Sequence, residues 1–461
     1  MMTVSDTKHH NDRGLVRLVS DTVSAVWRRA FLEERPSTLL GVFRLAAAVT
    51  VGCHMIPWFV PIEDTYLATA FKEYNPSFFP IWTLALVSHS PNWLVFGFVG
   101  LFFLSWGSFL IGFRAQLSCI VMTLCCYYFY ALNSLHIGTL SFDILLVTLF
   151  LLCVTNYHGD WLSLDSVLRG DSTAYKKPRP FFLQRLLQLQ LATTFWQTAL
   201  GKITASGNWL TDYPYYYLMH YPPEGVVRHF PFRAWLAQHQ TSCYWLQVSL
   251  LVFEFSLPLL LFVRRTRLIG LVLGFGFHVI LLVTLHVPTI FFFLFPPQML
   301  LFLDPEPVVG WIEAKRSARA AQGQAILLYD GHCGFCQESV RRWTVLDLFG
   351  FVRPVDFHSA PDLAQYHRDL TPEHCQRRMQ LVEPDGRLSD GYFAFRRMSR
   401  KSPMLWPVLP LLYLPGAGWI GQRAYDWIAK RRFLFHPGRA CGTNQCGLPG
   451  TAAGSGASSN S

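Results

Sequence analysis

Between Ser37 and Asp304 the chain is a succession of apolar runs, and runs of this length have few ways to fold in water. Crossing a bilayer takes roughly 20 consecutive apolar residues. Candidate spans fall at 38–60, 92–113, 115–133, 139–156, 182–203, 243–263, 267–286 and 288–303. Composition agrees: 51% of residues are hydrophobic and only 15% are charged, whereas a typical soluble domain is roughly a quarter charged. A single core cannot bury that much apolar surface, so a plain soluble enzyme is not the expectation. The fifth run is interrupted by Gln184, Arg185, Gln188 and Gln190, whose side chains must face protein rather than lipid. The last run is short, and with its neighbour it also suits one tight hairpin.

The net charge of +10 has two readings, nucleic acid or membrane topology, and the positions of the basic residues separate them. Lys8, Arg13, Arg17, Arg28, Arg29 and Arg35 precede the first span. Arg114 follows the second, Arg169, Lys176, Lys177 and Arg179 the fourth, Arg264, Arg265 and Arg267 the sixth, and Lys315, Arg316 and Arg319 the eighth. The intervening connections carry little, so the alternation places both termini in the cytoplasm and the protein in the cell inner membrane. No nucleic-acid partner is expected. Residues 1–36 form a cytoplasmic N-terminal segment without the pattern of a cleavable signal peptide. Within it, Leu15–Phe31 alternates apolar and basic positions, as a helix on the membrane surface or a solvated tail does.

The expected organisation is a membrane domain over 37–304, a linker over 305–324, a soluble domain over 325–440 and a flexible tail over 441–461, Gly/Ser/Ala-rich from Gly450. In the soluble domain Ala325–Tyr329 reads as a strand, Gln337–Phe349 as a helix and Phe351–Phe357 as a second strand. Met379–Val382 and Arg387–Tyr392 flank the turn Glu383-Pro384-Asp385-Gly386 as a hairpin. Helical stretches follow at Ala394–Arg400, Met404–Leu414 and Gly421–Arg431. The order predicts a thioredoxin-like α/β domain behind a polytopic α-helical membrane domain.

The sharpest local signal is Tyr329-Asp330-Gly331-His332-Cys333-Gly334-Phe335-Cys336, after a strand and opening a helix. Free amides and the positive end of the dipole at a helix N-terminus stabilise a thiolate. Cys333 is therefore the expected nucleophile, and Cys336, one turn on, resolves a mixed disulfide. The competing readings are half of a zinc site, with Cys441 and Cys446 as remote candidates at unsuitable spacing, or a structural cysteine pair. No metal site is expected. Cys375 reads as an ordinary cysteine.

These residues resemble the DCC family of thiol-disulfide oxidoreductases, whose signature is an apolar strand followed by Tyr/Phe-Asp-Gly-x-Cys-x-x-Cys. Gly391–Arg396, Leu414–Gly416 and Tyr425-Asp426-Trp427-Ile428-Ala429 are similar to the family's C-terminal half. The resemblance implies that Asp330 is a buried or helix-capping carboxylate serving proton transfer to the thiols; helix capping alone explains it too. It departs from thioredoxins in having Arg378, not proline, before Met379–Val382.

In the membrane part Lys202 stands out, near the end of Phe195-Trp196-Gln197-Thr198-Ala199-Leu200-Gly201-Lys202 and ahead of Asn208-Trp209-Leu210. A desolvated lysine serves as a base, and a lysine beside Trp209, Tyr213 and Tyr215–Tyr217 also serves as an interface anchor. Glu254, His278, His286 and Asp143 are further ionisable residues of the spans, and Glu254 is placed to pair with Lys202 or Arg185. The Gly-x-Lys segment, the span pattern and Asn156–Asp165 resemble the vitamin K-dependent gamma-carboxylase superfamily, which includes the bacterial HTTM domains. That resemblance implies a base at Lys202 acting on a reduced quinone. The family's histidine has no counterpart near Ser141, His136 being the nearest, and its large lumenal domain is missing.

The reading favoured is a membrane thiol-disulfide oxidoreductase of the protein-disulfide reductase type, with Cys333, Cys336, Asp330 and Lys202 as site residues. Its partners are membrane lipid and a protein or small-molecule disulfide, and quinone is the one cofactor candidate. The alternatives are a non-catalytic membrane factor for maturation, export or immunity, and a carboxylase-like enzyme.

Overall fold

The structure is a computed structural model that describes residues 21–71, 87, 89–133, 140–204, 208–286, 290–360 and 362–432. The chain divides into two compact units: the first takes Met1–Ser166 and Thr173–Gly310, and the second takes Val167–Ser172 and the chain from Trp311 on.

The first unit is built on the helices α1 (Thr38–Met55), α2 (Asn92–Ile111), α3 (Ala115–Leu132), α4 (Leu140–Cys153), α5 (Phe182–Thr204), α6 (Gln240–Phe262) and α7 (Arg267–Thr284). Among the described residues five helices are long and apolar enough to cross a membrane: α1 extended to Phe59, α2, α3, α6 and α7. The other three apolar runs differ for separate reasons. The run at 139–156 is helical for only the 14 residues of α4. The run at 182–203 is a continuous helix of 23 residues, made less apolar by its glutamines and charges. The run at 288–303 is broken into Ile290–Phe293, Phe295–Met299 and a 3-10 turn at Leu300–Phe302. Pro296 and Pro297 lack the N–H a continuous helix needs.

The break and the polar face of α5 explain each other. Gln188 Nε2 donates to the Leu301 carbonyl at 2.7 Å and Gln184 donates to the same oxygen. In return Gln298 Nε2 donates to Leu187 O at 2.9 Å. An interrupted helix exposes carbonyls that lipid cannot satisfy, and the glutamines supply the missing donors. A second knot forms around Arg44, which is fully buried in α1. Its guanidinium donates to carbonyls of Phe109 and Leu110 at the end of α2, and to Leu162 and His158. The Asp165 carboxylate accepts from the Arg114 and Ala115 amides at 2.9 and 3.0 Å, closing the start of α3. Asp160 holds Arg179 through two bonds of 2.8 and 2.9 Å, next to the short antiparallel pair β1 (Glu34–Pro36) and β2 (Pro178–Pro180). The core of this unit is a continuous apolar cluster from Leu39 to Phe302.

The helix α8 (Pro305–Gln322) begins on two prolines, which a first helical turn tolerates. The second unit follows as β3 (Ala325–Tyr329), α9 (Gly334–Leu346), β4 (Val352–Asp356), β5 (Gln380–Val382), β6 (Leu388–Asp390), α10 (Gly391–Ser399) and α11 (Ala417–Arg431). The strands form one sheet in the order β4-β3-β5-β6. β3 and β4 are parallel, joined through α9, and β5 runs antiparallel to β3 and to β6. This is the thioredoxin-like arrangement. Alternation along β3 builds both layers: Leu327 packs with Val340, Trp343 and Met398 on one face, and Leu328 with Phe357, Leu370 and Cys375 on the other. The β5–β6 turn places Gly386 at φ +79°, where a side chain is strained. The expected helix Met404–Leu414 is instead a 3-10 turn, Pro403–Val408, followed by the single turn Leu409–Leu412. Pro407 and Pro410 are the cause.

Candidate functional site

The site lies where β3 passes into α9. Glycine at 331 leaves room at the bend for the Asp356 carboxylate, which packs against the place a Cβ would occupy. Asp356, at the end of β4, accepts from the Gly331 and His358 amides at 2.9 and 3.1 Å, which pins the loop to the neighbouring strand. Cys333 then occupies the N-cap of α9, in extended backbone, with Gly334 as the first helical residue. Both sulfurs are buried free thiols, the Cys333 residue 2% and Cys336 4% exposed.

The two cysteines are unequal. The Cys336 thiol and its backbone N–H both donate to the Cys333 sulfur, and with help from the Arg432 charge they hold the Cys333 thiol down to about 6. Cys336 is pushed the opposite way, because it keeps the proton that bonds Cys333 and because it is buried. Ordinary cysteines titrate near 8.5, so at neutral pH the pair holds one thiolate and one thiol.

Asp330 sits beneath the pair, buried. Its Oδ1 accepts from the His332 amide and lies 3.1 Å from His358 Nε2, and its Oδ2 accepts from Arg432 Nη2 at 3.1 Å. The other nitrogen of that guanidinium, Nη1, stands 3.8 Å from the Cys336 sulfur. The carboxylate thus caps a local turn rather than the helix, and Arg432 joins it to the resolving thiol. The rings of His332 and His358 face each other with centroids 4.0 Å apart. Ligand atoms of Asp330, His332 and His358 lie within 4.8 Å of one another. Arg432 on the same carboxylate opposes a cation there. Cys441 and Cys446, named above in the zinc alternative, and His136 lie outside the described residues.

On the far side of Cys336 an apolar cavity of about 420 Å³ opens, walled by Phe335, Trp343, Met379, Phe395, Tyr425 and Cys336 itself. Arg378, at the position where thioredoxins carry proline, is fixed by Asp426 at 2.8 and 2.7 Å and by Asp390 at 2.7 Å. Cys375 belongs to the core, where burial pushes its thiol up to about 11.

Lys202 lies in the first unit, in α5, and its ammonium donates to Glu254 Oε2 at 2.6 Å and stands over the Trp209 ring at 5.3 Å. An ammonium bound to a carboxylate has no lone pair free to accept a proton, so a base at Lys202 must first surrender its proton to Glu254. Arg185 is held elsewhere, by Gln188 Oε1 at 2.6 Å and the Ala30 carbonyl. His278 bonds the Gly274 carbonyl of its own helix at 2.8 Å. His286 contributes its amide to Val226 O at 2.9 Å. Asp143 keeps one buried oxygen without a partner.

Arg432 and His358 are the site residues that sequence reasoning missed. Arg432 ends the basic run Lys430-Arg431-Arg432, which reads as a solvated helix end. Its signal was its place one residue past the last helix that packs near the cysteines.

Two family models match the chain. Residues 33–306 match the HTTM domain, and residues 327–436 match the DCC1-like thiol-disulfide oxidoreductase. No curated protein and no solved structure matches.

Proposed function

The chain belongs to the HTTM-domain family and carries a DCC1-like thiol-disulfide oxidoreductase domain, and from that premise we propose that it is a membrane-held disulfide reductase. Cys333 is its nucleophile and Cys336 its resolving thiol. The observation that carries the reading is the unequal pair at the start of α9, one sulfur lowered to about 6 and the other raised.

The Cys333 thiolate attacks one sulfur of a substrate disulfide, forming a mixed disulfide, and the other substrate sulfur leaves as a thiolate that takes a proton from water. Cys336 then gives up its proton and attacks Cys333. The Cys333–Cys336 bond forms, the mixed disulfide breaks, and the second substrate thiol departs. Two electrons have passed from the dithiol to the substrate, and a dithiol reductant of the cell returns them. Asp330, linked to Cys336 through Arg432, is the acceptor we assign to the resolving proton.

The alternation of basic loops supports an inner-membrane location with both termini cytoplasmic, where thiols are kept reduced. Reduction is then the working direction. The test is reduction of a model disulfide by the full-length protein in vesicles. Cys333→Ser abolishes it and leaves membrane insertion unchanged; full activity in that variant eliminates the reading. A reporter fused after Ser461 tests the orientation, and a periplasmic signal reverses the direction of the chemistry.

A further inference from the structure

The end of the second unit carries a feature that the dithiol chemistry does not use. Residues Pro403–Leu412 and Ala417–Arg431 are two helical legs bent by 110°, and together they are apolar enough to pass for a membrane span. Yet their large apolar side chains are not in the core. Trp406, Leu411, Leu414, Trp419, Ile420 and Trp427 are each more than half exposed. Isolated exposed apolar residues are ordinary; this many on two short touching legs mark a surface that meets something.

We propose that this hairpin lies flat in the headgroup region of the bilayer that the first unit crosses. Neither leg can cross it. At about 2.0 Å per residue for the 3-10 turn and 1.5 Å for α-helix they reach only about 18 and 22 Å, against a hydrocarbon core of roughly 30 Å. The opposite face of α11 is also tied to its own domain. Tyr425 Oη accepts from the Met379 amide at 3.1 Å, Gln422 Oε1 accepts from the Tyr392 amide at 3.1 Å, and Asp426 grips Arg378.

The chemistry of the exposed face selects lipid. Trp419, Arg423, Trp427 and Arg431 recur at four-residue intervals, so they form one stripe along α11. Arg423 lies 3.7 Å over the Trp419 ring and Arg431 lies 4.6 Å over Trp427. Indoles settle at the boundary between acyl chains and headgroups, and guanidinium groups reach the phosphates above them. The bilayer is also the surface at highest effective concentration, because Gly310, where the membrane unit ends, is joined directly to Trp311 of this unit. Docked in this way, the helix whose inner face walls the cavity beside Cys336 is the same helix that meets lipid.

The test uses the full-length protein in nanodiscs of phosphatidylcholine and phosphatidylglycerol, with a benzophenone amino acid replacing Ile420 or, as control, Asp385 in the β5–β6 turn. After irradiation, mass spectrometry should find phospholipid adducts at position 420 and none at 385. Adding Trp419→Glu and Trp427→Glu should lower the adduct at 420 at least tenfold while Cys333 alkylation stays unchanged. The proposal is overturned if position 420 yields no lipid adduct, if it crosslinks to protein instead, or if the double glutamate variant keeps the full adduct.

Discussion

Lys202 in the first unit and Cys333 in the second are both ionisable groups held by a polar partner in apolar surroundings, but the partners do different things. Glu254 meets Lys202 with two oxygens on one ammonium, so each charge is balanced by the other and the ammonium has no lone pair to offer. Cys333 receives hydrogen bonds from Cys336 and a distant charge from Arg432, which stabilise a thiolate without bonding to it covalently. The sulfur keeps its lone pairs and its nucleophilicity. A buried charge that is fully paired reads as architecture; a buried charge that is stabilised yet still able to attack reads as chemistry.

The largest effect that could break this contrast is at the nucleophile. Cys333→Ser should lower disulfide reduction about a thousandfold or more, as removal of an attacking group does, whereas Cys336→Ser should accumulate a mixed disulfide visible by mass spectrometry. Next comes the ion pair. Glu254→Leu strands the Lys202 ammonium and should cost about 3 kcal/mol of stability, seen as a lower melting temperature in detergent. Lys202→Leu together with Glu254→Leu should recover most of it with normal disulfide reduction. A well-folded double variant that no longer reduces disulfides would move Lys202 from architecture to chemistry.

Arg432 sharpens the other side. Its positive charge lowers the Cys333 thiol, so Arg432→Met should raise the titration midpoint by about one unit. Because the thiolate is the reactive form, the variant should alkylate about fivefold more slowly at pH 6 and at the wild-type rate above pH 8. The smallest effect concerns a residue with no part in either pair. The Thr371 hydroxyl caps a short helix by accepting from the His374 amide. Thr371→Ala should cost about 1 kcal/mol in a chemical denaturation of the second unit and leave the thiol pH profile in place.

Much of this was legible in the sequence because local pattern dictates it. The apolar runs, the strand–turn–helix around the cysteines and the hairpin through Gly386 each follow from residues close together in the chain. That Glu254 needs a cation was legible, because unpaired charges are so costly in a membrane helix, but Lys202 and Arg185 were both candidates and only the fold selects Lys202. Three things were not legible. Asp330 is met by His358 and Arg432, 28 and 102 positions away, and only the closed sheet brings them in. Gln184 and Gln188 looked like interruptions of a span, yet they serve one carbonyl, that of Leu301, in a broken segment more than a hundred residues later. Met404–Leu414 looked like one helix, and Pro407 and Pro410 leave it as a 3-10 turn and a single helical turn instead.

The central claim is that the two thiols of the site differ in kind, and site-resolved alkylation of the reduced full-length protein tests it most directly. Iodoacetamide is applied briefly at pH values from 4 to 10, and each cysteine is quantified by mass spectrometry. Cys333 should be modified with a half-maximal rate near pH 6 while Cys336 stays unmodified to the alkaline limit. Equal labelling of both, with a common midpoint near the ordinary cysteine value of about 8.5, would contradict the account.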